Sequence, residues 1–134
     1  MGLHFSKEEF SNRKEKTLNS MKNEGVDALI MFRQESMYWL TGYDTFGYVF
    51  FQALVLDQKG NVILLTRAPD LRQAQNTSNI SDIRIWVDKD GANPADDLKI
   101  ILDELNLKGK KIGVEFEAYG LSGRNALRLN TVLQ

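Results

Sequence analysis

Two apolar runs, Tyr48 to Leu56 (YVFFQALVL) and Asn61 to Thr66 (NVILLT), are joined by only Asp57-Gln58-Lys59-Gly60, and that joint constrains the fold more than any other stretch. A connection so short, with glycine last, is a hairpin turn. It links antiparallel strands, because a parallel pair needs a crossover of about a dozen residues or more. The first run is apolar at both alternating sets of positions, as expected of a central strand buried on both faces. Asp27 to Phe32 (DALIMF) and Lys111 to Phe116 (KIGVEF) read as further strands, and Ile83 to Val87 (IRIWV) alternates as a half-exposed one. On that face count Arg84 and Trp86 oppose Ile83, Ile85 and Val87. A sheet containing the hairpin cannot be purely parallel, which excludes a doubly wound nucleotide-binding domain.

Helical segments separate these strands. Ser6-Lys7-Glu8-Glu9 has the form of a capping box, with Phe5 and Phe10 placed as a hydrophobic staple, and Gly25 stands where the helix would end. Glu35 to Leu40 makes about two turns closed by Thr41-Gly42, setting Met37, Tyr38 and Leu40 against the sheet. Pro69 opens a short helix to about Asn76. Asn93 and Pro94 begin another, with Asp96 and Asp97 in its first turn and Leu98, Ile101, Leu102 and Leu105 on one face, ending at Gly109. Leu121 to Leu133 has helical spacing as well. The fold class is therefore α/β: a single domain over residues 1–134, a mixed sheet with an antiparallel hairpin, flanked by helices. The loop 88–93 is too short to divide it.

Between the second helix and the hairpin lies the densest aromatic stretch, Tyr38, Trp39, Tyr43, Phe46 and Tyr48, interrupted by Gly42 and Gly47. Two readings stand side by side. The rings are core, which suits Trp39 best; or Tyr43-Asp44-Thr45-Phe46-Gly47-Tyr48 is a turn-rich loop that presents recognition groups. On the second reading Tyr43, Asp44, Phe46 and Tyr48 are the candidate substrate-binding residues. Asp44 also suits an Asx-turn. The segment is no phosphate loop, since it lacks both the glycine spacing and a following Lys-Ser/Thr or helix start.

Other chemistry is sparse. A formal net charge of −1 with both signs interspersed offers no field for a nucleic-acid backbone. Cysteine is absent, which removes thiolate chemistry and disulfides and fits a reducing, cytoplasmic location. No apolar run approaches the ~20 residues of a membrane span, and Met1 to Phe10 lacks a signal-peptide core. The single histidine, His4, precedes the first helix, leaving no histidine-based metal site or Ser-His pair inside the fold. Glu8-Glu9 and Asp96-Asp97 are explained by helix N-termini. Glu115 and Glu117, two apart on a strand, share one side and form a conceivable carboxylate pair, with a rim or interface role as the alternative. No catalytic residue, metal ligand or cofactor site is expected on this chain.

The order Phe5-Ser6-x-x-Glu9-Phe10-x-x-Arg13, Met21, Gly25-Val26-Asp27-Ala28-Leu29, Ser36-Met37-Tyr38-Trp39-Leu40-Thr41-Gly42-Tyr43 and Ile112-Gly113-Val114-Glu115 resembles the N-terminal domain of the creatinase/prolidase/Xaa-Pro aminopeptidase family along essentially the whole chain. The resemblance implies a mixed sheet flanked by helices, in agreement with the hairpin. It also implies a larger C-terminal catalytic domain of pita-bread fold, absent here, carrying a dinuclear Mn, Co or Zn site or, in creatinase, a metal-free one. None of those ligands maps onto a residue of this chain, whose end at Gln134 fits a longer polypeptide cut short. The implied role is dimer assembly and closure over a small peptide, amide or amidine substrate, often that of the neighbouring subunit. In creatinase a Phe-Gly-Arg segment after the second helix reaches the partner's site, and its arginine meets the substrate carboxylate. The matching positions here are Phe46, Gly47 and Tyr48. Tyrosine cannot supply the bidentate clamp of an arginine, which argues against creatine itself. Set against this non-catalytic domain of a hydrolase is a stand-alone α/β module that binds a small ligand or a protein without chemistry.

Overall fold

The computed structural model describes Leu3 and residues 5–133; His4 and Gln134, on which two of the expectations above fall, lie outside them. In chain order the elements are α1 (Lys7–Glu24), β1 (Ala28–Met31), α2 (Gln34–Thr41), a 3-10 turn (Gly47–Val49), β2 (Ala53–Asp57), β3 (Val62–Arg67), a second 3-10 turn (Ala68–Asp70), α3 (Leu71–Thr77), β4 (Asp82–Trp86), α4 (Pro94–Glu104), β5 (Ile112–Val114) and α5 (Gly123–Val132). The strands form one sheet in the order β4-β3-β2-β1-β5. β2 runs antiparallel to both β1 and β3, whereas β5 is parallel to β1 and β4 to β3. The sheet is mixed, and the hairpin is its centre.

The turn explains itself chemically. Gly60 takes φ 87°, its N–H donates to the Asp57 carbonyl at 3.0 Å, and the Asp57 carboxylate accepts from the Asn61 backbone and side chain at 2.8 and 2.9 Å. That fixes the pairing of Leu54 with Leu64 and Leu56 with Val62. All five residues of β2 are buried, because helices cover both faces. Val55, Ile63 and Leu65 pack with Leu98, Ile101, Leu102 and Leu129 from α4 and α5. Leu54, Leu56 and Leu64 pack with Met21, Met37, Leu40 and Ala74 from α1, α2 and α3. Each such side chain contributes about 1.5–3 kcal/mol by leaving water.

Helix ends follow the sequence where the cap is local. Ser6 accepts from the Glu9 N–H at 3.1 Å, Phe5 and Phe10 stack edge-on at 5.8 Å, and Gly25 closes α1 at φ 70°. The Asn93 side chain caps α4 by accepting from the Ala95 N–H. Where long-range geometry decides, the boundaries move. β2 begins at Ala53 rather than Tyr48, since β1 stops at Met31 opposite Leu54 and residues 47–49 are taken up by the 3-10 turn. β5 ends at Val114, level with Ile30 of β1, instead of reaching Phe116. α4 ends at Glu104, where Asn106 at φ 57° reverses the chain, and Gly109 serves the turn before β5. α5 starts only at Gly123, capped by Ser122. In β4, Arg84 pairs with Asp82 and Glu104, while Trp86 turns inward and donates from Nε1 to the Phe51 carbonyl at 2.9 Å.

Candidate functional site

Residues 43–50 leave the end of α2 and return to the start of β2, and their first half is fixed by buried hydrogen bonds. Gly42 ends α2 at φ 85°, with Thr77 O so close that no side chain fits there. The chain then drives Tyr43 inward, where it is 0% exposed. Its hydroxyl donates to Gln52 Oε1 at 2.7 Å, Thr66 Oγ1 donates to the same oxygen at 3.1 Å, and the Tyr43 carbonyl accepts from Gln34 Nε2 at 2.7 Å. Burial pushes the phenol up to about 12. Tyr43 is thus a core anchor and not an exposed recognition group, which corrects that expectation. A hydrophobic pocket with an acceptor at its end holds a tyrosine better than solvent does.

The second half faces outward. Asp44 is exposed, and its backbone N–H donates to Thr77 Oγ1 at 2.9 Å. The side-chain-to-backbone turn expected at Asp44 is made one residue later, by buried Thr45, whose Oγ1 accepts from the Gly47 N–H at 3.0 Å and donates to Asp70 Oδ1 at 2.7 Å. Phe46, by contrast, is 94% exposed. Tyr48 is 44% exposed and stacks edge-on against Tyr119 with ring centroids 6.0 Å apart. Val49 and Phe50 are also exposed in large part. Beside them a groove of about 410 Å³ is lined by Phe32, Arg33, Glu35, Tyr48 and Tyr119 among others. Of the candidate residues, Phe46 and Tyr48 therefore share an aromatic rim, Asp44 sits at its edge, and Tyr43 lies beneath.

Glu115 and Glu117 do not form a carboxylate pair. Past the end of β5, Glu115 Oε1 accepts from the Phe32 and Arg33 N–H groups at 3.0 and 3.1 Å, and Oε2 accepts from Ser36 Oγ at 2.6 Å. It satisfies the backbone amides of the turn that leads from β1 into α2, while Glu117 is exposed on the groove. Among the described residues no group of three or more His, Asp or Glu side chains is placed to hold a metal ion. Trp39 is 43% exposed, with the Arg13 guanidinium 5.4 Å from its ring centre, so it is half-buried at the surface rather than enclosed in the core.

Several residues of the rim carry no sequence signal of their own. Asp70 and Arg67 are brought to the loop from the far end of β3, and Tyr119-Gly120 from beyond β5. Only the parallel pairing of β5 with β1 sets the loops that follow them at the same end of the sheet. Gly120 packs so closely on the Phe50 and Tyr48 carbonyls that a side chain there would overlap them.

Residues 13–134 match the family model for the creatinase/prolidase N-terminal domain. The chain belongs to that family. Among curated relatives of this N-terminal domain, it is 28% identical over 98% of its length to an uncharacterized hydrolase/peptidase of Sinorhizobium fredii. It is 27% identical over 92% of its length to the ectoine hydrolase of Halomonas elongata. It spans about a third of the length of either protein, 35% and 33%. In fold it is similar to a solved Xaa-Pro aminopeptidase chain of Streptococcus pyogenes, with TM-score 0.73 at 17% identity, covering 96% of this chain and 88% of that one. The solved domain it resembles shares its fold, and the sheet of this chain is the mixed one that the hairpin required.

Proposed function

We propose that this domain is the non-catalytic, substrate-gating and assembly part of a longer hydrolase, and that the Phe46–Tyr48 rim closes over the substrate pocket of a partner subunit. The carrying observation is Phe46: a phenyl ring 94% exposed on a loop whose backbone is held by buried bonds. A ring of this size held in water on a fixed support gives contact area to a partner at small entropic cost. The relatives' greater length supports a C-terminal catalytic part beyond this domain. That part would hold the dinuclear divalent metal site, with Mn, Co or Zn, for which the described residues of this domain bring together no ligand set. The relatives' names point to a substrate with a hydrolysable C–N bond, a small peptide with proline in the second position or a small amide or amidine solute. Tyr48 stands where creatinase has its arginine, and it offers a neutral hydrogen-bond donor in place of a carboxylate clamp.

The test is kinetic, on the full-length enzyme assayed with Xaa-Pro dipeptides and with ectoine. Phe46→Ala and Tyr48→Ala are each expected to lower kcat/KM by about tenfold or more, equal to about 1.4 kcal/mol of transition-state binding, with melting unchanged. Unchanged kcat/KM for both variants, on every substrate the parent turns over, refutes the proposal.

A further inference from the structure

The loop is gripped from the end of β3 by two residues, Asp70 and Arg67, whose charged groups no role above explains. Asp70 is the residue at the N-terminal boundary of α3, yet its side chain makes no capping bond to that helix. It is a buried carboxylate turned away from its own helix and toward residues 45–47, accepting from Thr45 Oγ1 at 2.7 Å. Placing an ionised group there is costly unless it is paired. Its oxygens lie so close to Gly47 that a Cβ on that residue would start 2.5 and 2.6 Å away. Arg67 completes the set. Its guanidinium lies 3.5 Å from the centre of the Phe50 ring and 3.6 Å from Asp70, and its buried Nε has no hydrogen-bond partner among the described residues. An arginine so placed is held by stacking and charge rather than by directed bonds.

We infer that Thr45, Asp70 and Arg67 form a clasp whose work is to position the aromatic rim. They are positioning residues, since they act through Phe46, Tyr48 and Phe50. Thr45 ties Gly47 to Asp70, Arg67 holds Phe50, and Gly120 closes the loop from the opposite side by its contact with the Phe50 and Tyr48 carbonyls. Both ends of the short 3-10 turn are thereby fixed, so the exposed rings are presented without ordering the backbone at the moment of contact. The inference deepens the function proposed above and rests on it only for what the rim meets; the clasp itself is a property of this chain.

Amide hydrogen exchange on the 134-residue chain tests it without reference to activity. Thr45→Val keeps the shape and removes both hydroxyl bonds. It is expected to speed exchange of the Gly47 N–H by about tenfold, with Leu54 to Leu56 of β2 unchanged, and Thr45→Ser is expected to restore protection. Arg67→Met, which keeps the stem and removes the guanidinium, is expected to deprotect the Phe50 N–H, bonded to the Gly47 carbonyl at 3.0 Å. Unchanged protection at Gly47 in Thr45→Val, or equal losses in the loop and in β2, overturns the clasp. Loss confined to the loop upholds it even if Phe46→Ala proves kinetically silent, in which case the proposed function alone fails.

Discussion

Tyr43 and Phe46 stand three positions apart on one loop, and they differ more than any other pair of aromatics in the molecule: one ring is 0% exposed, the other 94%. The difference lies in the backbone between them. Gly42 at φ 85° turns the chain so that Tyr43 enters the layer under α2, where Gln52 accepts from its hydroxyl and Thr66 lies beside it. Thr45 and Gly47 then pin the chain against Asp70, and the side chain between them has nowhere to go but outward. One aromatic is enclosed by the fold and the other is left in solvent. The two classes of residue that look alike in sequence are thus separable by which of them removal would unfold.

The largest effect is expected at the inner ring. Tyr43→Ala removes a fully buried side chain and leaves a cavity beside Gln52 and Thr66, at a cost of about 3–5 kcal/mol, so the melting temperature should fall by about 10–20 °C. A fall of the same size in Phe46→Ala would erase the distinction. The pH dependence is next. Tyr43 has its phenol raised to about 12 in the fold, by burial first, against about 10 in the unfolded chain. The unfolded state therefore loses this proton first, so the contribution is fully present below pH 10 and is lost as pH rises from about 10 to 12. The loss amounts to about 2–3 kcal/mol. Tyr43→Phe should flatten that alkaline decline in urea titrations; an unchanged slope would assign it to other groups.

A smaller effect is expected between the two rings. Gly47→Ala forces a methyl group against the buried Asp70 carboxylate; it should cost about 1–3 kcal/mol by overpacking. Stability within about 0.5 kcal/mol of the parent would show that the loop yields there, and that Phe46 is not on a fixed support. Smallest of all on stability is Phe46→Ala, expected within about 0.5 kcal/mol by denaturant midpoint, since an exposed ring loses no core contact.

How far the sequence carries follows the same divide. The hairpin was legible because its signal is local: Asp57 and Gly60 build the turn from their own atoms, and the apolar runs on either side of it have no other use. The caps of α1 and α4 were legible for the same reason. The start of β2 was not, because it depends on where β1 stops. Tyr43 and Phe46 were placed in one exposed loop because nothing in their identity tells an anchored ring from a presented one; the difference comes from Gln52, Thr66 and Asp70, which lie 9, 23 and 25 residues from their partners in the loop. Glu115 looked like half of a carboxylate pair until the start of α2, 82 and 83 residues earlier in the chain, supplied its donors. A resemblance to a family carried the fold correctly and could not assign these long-range partners, since it transfers a position and not its neighbours.

The most direct measurement of what the outer ring meets is a photocrosslink. With a benzophenone amino acid at position 46 of the full-length protein, irradiation should yield a covalent dimer, and mass spectrometry should map the attachment to the catalytic part of the second subunit. Crosslinks confined to residues of the same domain, or none above the level given by the same label at exposed Lys59, would contradict the claim that Phe46 is presented to a partner.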